Sequence, residues 1–331
     1  MDSRYHELAE RIDLGRYERI VKLFSIIASP AEADLMLAMP SDVPALAEKT
    51  GRPLDEVQDM VDKMFLKGLV FPSKKTDPPT WRMVRSFGQF HDATILWPEA
   101  PREFLDLWQE WIEHDWIDYA RPQYEKMARP AMRVIPVGVQ VEAKAQVLAF
   151  EDVEAIINNA RELAVTPCTC RVRAHKCDHM LEACIQIDNA ASYAVTRGTG
   201  RALTKEEAVD LIRQIEEDGL IHTVFNMKSS GHVICNCCSC CCMNFPVLIK
   251  YGLQVCDPSR FRVSIDPDLC TGCETCIDRC FFGVIEMADD LAQVAHPDKC
   301  LGCGVCQVTC PSGAISMVEV RSQDYIPEGT H

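Results

Sequence analysis

Residues 266–287, DPDLCTGCETCIDRCFFGVIEM, recur thirty positions later as residues 296–317, HPDKCLGCGVCQVTCPSGAISM. Pro267/Pro297, Asp268/Asp298, Gly272/Gly302, Gly283/Gly313, Ile285/Ile315 and Met287/Met317 coincide in the two copies. Each copy carries the spacing C-x2-C-x2-C-x3-C. The first supplies Cys270, Cys273, Cys276 and Cys280; the second supplies Cys300, Cys303, Cys306 and Cys310, followed by Pro311. Three thiolates on one tight loop can hold three corners of a cubane. The fourth, set off by three residues, points the other way and closes the neighbouring cluster. The spacing therefore predicts two 4Fe–4S clusters. One rests on Cys270, Cys273, Cys276 and Cys310, the other on Cys300, Cys303, Cys306 and Cys280. Zinc is the competing use of such thiolates, and the duplicated spacing argues against it.

This doubled motif resembles the bacterial two-cluster ferredoxins. The resemblance implies a small pseudo-symmetric α+β module whose clusters lie close enough for rapid electron transfer. Phe281 departs from the pattern, since that family has proline after the fourth cysteine. The change removes no ligand and bears on the exposure or potential of the cluster beside it.

Nineteen cysteines occur in 331 residues, all between Cys168 and Cys310. Tight grouping in a chain that reads as cytosolic points to metal rather than disulfides. Outside the repeat there are two groups and one isolated residue. The first group is Cys168, Cys170, Cys177 and Cys184. The second is Cys235, Cys237, Cys238, Cys240, Cys241 and Cys242, and Cys256 stands alone. Six cysteines within eight residues cannot all ligate one cubane, because a cubane has four corners and adjacent side chains diverge. The expectation is that Cys168, Cys170, Cys177 and Cys184 supply one metal centre. The second group then supplies another, or turns the first into an unusual cluster. One or two additional iron–sulfur clusters, zinc, or redox-active thiols without metal all remain open here.

Around these groups stand polar candidates for support. Arg171 and Arg173 are placed to offset cluster charge or bind an anion. His222, Asn226 and His232 precede the second group and could be ligands, proton donors or hydrogen-bond partners of sulfur; for each taken alone a structural role is preferred. His175 and His179 are alternative ligands, with cysteine preferred. No catalytic residue can be named. No GxGxxG opening a helix, no Walker motif and no GxSxG is present. The segments TPCTCR (166–171), GLIHTVFN (219–226) and ICNCCSCCC (234–242), joined to a ferredoxin, resemble a family of uncharacterised ferredoxin-like 4Fe–4S binding proteins of anaerobic bacteria and archaea. That resemblance spans roughly residues 130–320. It implies anaerobic electron transfer and no particular substrate.

The first 130 residues read as helical. Helices are expected at Arg19–Ala28, Glu32–Met39, Asp42–Lys49 and Leu54–Leu66, with a strand from Leu69 and a hairpin partner at Trp81–Val84. This order resembles a winged helix-turn-helix. Its would-be recognition helix carries Asp55, Glu56, Asp59 and Asp62, which would repel phosphate. Residues 98–130 continue as helix, with Phe104, Trp108, Trp111, Trp116 and Tyr119 as a packing stripe and Pro122 and Pro130 at its end. Strands are expected at Val134–Val141 and Ala145–Phe150, then an amphipathic helix over Glu151–Leu163. Thr204-Lys-Glu-Glu207 is a capping box opening a helix to about Asp218.

The overall expectation is an α+β chain of three domains. Residues 1–130 form a winged-helix-like, helical docking domain. Residues 131–260 form a cysteine-rich α/β domain, and residues 261–331 a bacterial-ferredoxin-like domain with a tail. A formal charge of −15 argues against binding nucleic acid or anionic membrane. Neither a secretory leader nor a membrane-spanning run is apparent, which reads as cytoplasmic. Three functions fit. The first is an electron-transfer protein serving redox partners, as subunit or partner of a larger anaerobic oxidoreductase. The second is an oxidoreductase reducing a substrate at the middle-domain cluster. The third is an iron–sulfur redox-sensing regulator.

Overall fold

The computed structural model describes residues 2–73, 76–137, 148, 151–229 and 231–329. Two compact units result. The first takes in Met1–Tyr119, Val172–Ala174 and Arg197–Thr199, and the second the remainder. All five tryptophans belong to the first unit and all nineteen cysteines to the second.

In the first unit α1 (Ser3–Glu10), α2 (Glu18–Ile27), α3 (Pro30–Leu37), α4 (Val43–Thr50) and α5 (Leu54–Lys67) lead into the strands β1 (Val70–Ser73) and β2 (Thr80–Met83). The helices expected between Arg19 and Leu66 all form, each within two residues of its expected ends. Their starts and stops have local causes. Ser29 and Glu32 make a reciprocal cap on α3, Asp42 accepts the Ala45 N–H at the start of α4, and Gly68 ends α5 at φ 81°. The strands pair antiparallel from Val70↔Met83 to Ser73↔Thr80.

Then follow α6 (Phe87–Ile95), α7 (Arg102–His114) and α8 (Trp116–Lys126). The aromatic stripe is core packing. Phe104, Trp108 and Trp111 are fully buried, Phe87 lies 4.9 Å from the Trp111 and Trp116 rings, and Phe24 stacks on Phe90 at 4.1 Å. Helix α6 had no counterpart in the sequence reading. Pro122 does not end α8, which continues to Lys126. Proline there leaves the Asp118 carbonyl without its helical donor, and Arg16 Nη2 reaches that oxygen at 3.4 Å.

The second unit carries β3 (Met132–Val134), α9 (Val153–Asn159), β4 (Leu163–Pro167), the first turn of α10 (Thr169–Ala174), β5 (Glu182–Ile187) and α11 (Asn189–Thr196). It continues with β6 (Arg201–Leu203), α12 (Lys205–Asp218), β7 (Ile221–Phe225), β8 (Val233–Cys237) and α13 (Phe245–Tyr251). Six of these strands form one antiparallel sheet in the order β3-β7-β8-β5-β4-β6.

Two sequence expectations are corrected here. The strand expected from Val134 starts at Met132 and ends at Val134; residues 138–141 and the strand expected over Ala145–Phe150, Leu148 apart, lie outside the described residues. The helix expected over Glu151–Leu163 is only Val153–Asn159. Asp152 caps it, the N–H groups of Arg161 and Glu162 turn instead to Asp188 Oδ1, and Leu163 already opens the buried strand β4. The capping box at Thr204 and Glu207 forms, and Gly219 stops α12 at φ 87°.

The duplicated repeat builds β9 (Phe261–Ile265), α14 (Thr275–Arg279), β10 (Ile285–Ala288), β11 (Leu291–Val294), α15 (Val305–Val308) and β12 (Ile315–Glu319). Strand β9 pairs antiparallel with β12, and β10 with β11. Gly272 and Gly302 occupy equivalent left-handed positions at φ 66° and 67°. A Cβ on them would stand 2.3 Å from the Asp290 carbonyl oxygen and 2.2 Å from that of Phe261. The chain is thus a mixed helix-and-sheet protein. No helix among the described residues is long and apolar enough to cross a membrane.

Candidate iron–sulfur and metal centres

Two cavities open inside the repeat, and four cysteines line each. Cys270, Cys273, Cys276 and Cys310 line the first. Cys280, Cys300, Cys303 and Cys306 line the second. Each loop of three cysteines thus meets the fourth cysteine of the other copy. Antiparallel pairing of β9 with β12 carries that exchange, because it brings the start of one copy against the end of the other.

The two spaces differ in exposure. Cys273 is exposed in the first, whereas Cys300 and Cys306 are buried in the second, where Phe281 and Phe282 also line the wall. Burial pushes the thiols of Cys300 and Cys306 up and that of Cys303 up to about 12. These three buried thiols resist ionisation in apolar surroundings, and a cationic iron core is what lets them ligate as thiolates. Backbone groups add support, as Val284 N–H lies 3.5 Å from Cys280 Sγ. The residues fit two 4Fe–4S clusters, which supply one-electron oxidation and reduction.

The middle cysteines are gathered by the six-stranded sheet. Strand β5 lies between β4 and β8, so Cys168 just past β4, Cys184 on β5, and Cys235 and Cys237 on β8 come from three adjacent strands. A register shift at Thr166/Pro167 turns the chain where Cys168 begins. Cys168 interacts with Cys170 and Cys184, and Cys237 with Cys242.

Cys177 does not join that set. Its Sγ stands 3.5 Å from Cys241 and 3.9 Å from Cys238, while Cys240 lies 3.7 Å from Cys238 and 3.8 Å from Cys241. All four sulfurs fall within 4.8 Å of one another. The expected quartet of Cys168, Cys170, Cys177 and Cys184 is therefore split, with Cys177 drawn to the second group. Cys256 is buried, its thiol against the Asp257 carbonyl and within electrostatic reach of Cys242 of the second group.

The supporting residues sort by the face of the sheet on which they sit. Cys235 and Cys237 point to one face of β8 and Asn236 to the other. His222 faces Asn236 across the ladder, so its ring meets the Asn236 amide oxygen and Glu216, not sulfur. Asn226 donates to the Pro130 carbonyl and to Asp257, and His232 packs on Phe225. His179 pairs with Asp218 at 3.0 Å, and His175 takes a left-handed turn at the end of α10.

Arg171 is the residue of this group that reaches the thiols. It is buried, its Nη1 donates to the Asn236 carbonyl at 3.0 Å, and its charge lies beside Cys168 and Cys238. Arg173 turns away to Gln109 and His91. The sequence reading missed Thr223, whose hydroxyl lies 3.8 Å from Cys237 Sγ, and the Asn244 N–H, which donates to Cys242 Sγ at 3.4 Å.

No curated protein and no solved structure matches the chain. One stretch of it does have an assignment: residues 262–311, which hold all eight cysteines that line the two cavities, match the family model described as a 4Fe–4S dicluster domain.

Proposed function

We propose that this protein relays single electrons through two 4Fe–4S clusters into a cysteine-lined centre in its middle region, serving redox partner proteins. The observation that carries this reading is the pair of four-cysteine cavities inside the matched 4Fe–4S dicluster domain. Cys270, Cys273, Cys276 and Cys310 hold the outer cluster, and exposed Cys273 marks the face where a donor exchanges electrons. Cys280, Cys300, Cys303 and Cys306 hold the inner one.

The inner cavity is also the one that abuts the middle cysteines. Ile221 lines it and is the ladder partner of Cys237, and Phe282 lines it and packs edge-on against Phe245, just beyond Cys242. Cys168, Cys170, Cys184, Cys235, Cys237 and Cys242 are then the place for a further iron–sulfur centre. The partners are proteins, such as subunits of a larger oxidoreductase, and not nucleic acid. Asp55, Glu56, Asp59 and Asp62 are all exposed on α5, and Lys63 is taken by Asp59.

The test is anaerobic. The purified chain is assayed for iron and acid-labile sulfide, reduced, and mixed with a one-electron acceptor. Release of single electrons by a protein holding at least about eight irons and eight sulfides supports the reading. Retention of the clusters with no electron release would overturn it.

A further inference from the structure

Four sulfurs bound to one ion at about 2.3 Å with tetrahedral angles stand about 3.8 Å apart. The sulfurs of Cys177, Cys238, Cys240 and Cys241 form a closed ring with edges of 3.9, 3.7, 3.8 and 3.5 Å. A cubane places each thiolate on a different iron, at a corner outside the core, and so spreads its sulfurs farther than one ion does. From this spacing we infer that Cys177, Cys238, Cys240 and Cys241 bind a single divalent ion, zinc or iron, as a closed tetrahedral tetrathiolate separate from every iron–sulfur cluster.

The local chain is built for this. Cys238-Ser-Cys240-Cys241 follows β8 as a turn, and in a turn adjacent Cys240 and Cys241 bring their sulfurs to the same side. Cys238 and Cys241 have the C-x2-C spacing common in closed zinc sites. The Cys241 N–H donates to Cys238 sulfur and the Lys176 N–H to Cys241 sulfur, so backbone dipoles face the developing negative charge. A divalent ion with four thiolates carries a net charge of about −2. The buried Arg171 guanidinium beside Cys238 offsets part of it, and its Nε and Nη2 meet no oxygen partner among the described residues. Cys177 contributes from the loop between α10 and β5, so the ion pins that loop to the end of β8. Four thiolates fill a tetrahedron, leaving no open position for substrate. Thus the ion is a structural clasp, and it stands independently of the electron-relay reading.

The experiment uses the full chain purified without oxygen, with Cys240→Ser and Cys177→Ser as variants, Cys240 being exposed. Zinc, iron and acid-labile sulfide are counted per chain. Each variant is expected to lose about one metal ion with sulfide unchanged, which separates this site from the clusters. If the variants do not fold, the unaltered protein decides. Zinc-edge X-ray absorption should show four sulfurs at about 2.3 Å and no neighbouring metal, or, for iron, the ferric form should give a high-spin mononuclear resonance. Loss of several irons with matching sulfide, unchanged metal content in the variants, or the absence of both spectroscopic signatures would overturn the inference.

Discussion

Arg260 Nε donates to Glu151 Oε2 at 2.8 Å with both side chains closed to water, and Arg260 Nη1 reaches on to Glu319. The pair ties the entrance of α9 to β9 and β12, within the second unit. Removing one partner of such a pair leaves a buried charge and costs about 3–5 kcal/mol. Arg260→Met should therefore lower the thermal midpoint of the cluster-bearing unit by about 6–20 °C. Burial raises the Glu151 carboxyl and Arg260 opposes it, so adding Glu151→Gln should recover part of the loss. Equal midpoints for the single and double variants would refute the pairing as the cause.

Exchange of the fourth cysteine between repeats has a signature in double variants. Cys280→Ser and Cys303→Ser touch the same cavity, so combining them should cost no more iron than either alone, about four irons. Cys280→Ser with Cys273→Ser touches both cavities and should cost about eight. Ligation within each contiguous motif would give the reverse pattern for these two pairs.

Gly302 offers a test of the loop that carries three ligands. Alanine there would be strained by its left-handed backbone and would press a methyl group on the Phe261 carbonyl and the Ser259 hydroxyl. Gly302→Ala should destabilise by about 1–3 kcal/mol and lower the yield of iron in the inner cavity first. Gly283→Ala, with open space around its Cβ, should spare the packing and keep more iron than Gly302→Ala. Equal iron content in the two would show that the contact at Gly302 yields without cost.

The first unit should weaken in mild acid. Burial holds the His91 imidazole below its ordinary value, with Asp92 opposing, and its Nε2 lies 3.1 Å from Arg173 Nη1. The unfolded chain binds that proton at about pH 6.5, the folded chain only at lower pH. Stability is therefore full above about pH 6.5 and falls as pH drops below it. Melting of the first unit at pH 7.5 and 5.5 should show the drop, and His91→Gln should flatten it. A slope unchanged by the substitution would assign the effect elsewhere.

The ferredoxin half was legible because its information is local: two loops, fixed spacings, and glycines where the backbone turns left-handed. Helix α12 was legible for the same reason, its start written as Thr204 and Glu207 and its end as Gly219. The middle region was not. Its cysteines are sorted by which strands lie side by side, and the order β8-β5-β4 is a long-range fact. The expectation that adjacent cysteines diverge holds on a strand and fails at Cys240 and Cys241, which lie in a turn. For His222 the sequence favoured a structural role without showing its cause, which is the strand alternation that puts it on the opposite face of the sheet from Cys235 and Cys237.

Because every tryptophan belongs to one unit and every sulfur ligand to the other, the molecule carries two optical labels of its own. Ultraviolet emission follows the aromatic helices, while visible sulfur-to-iron absorption follows the cysteine-bearing half. A single heated sample can thus show whether the two halves let go together or in turn, with no dye attached and no residue changed.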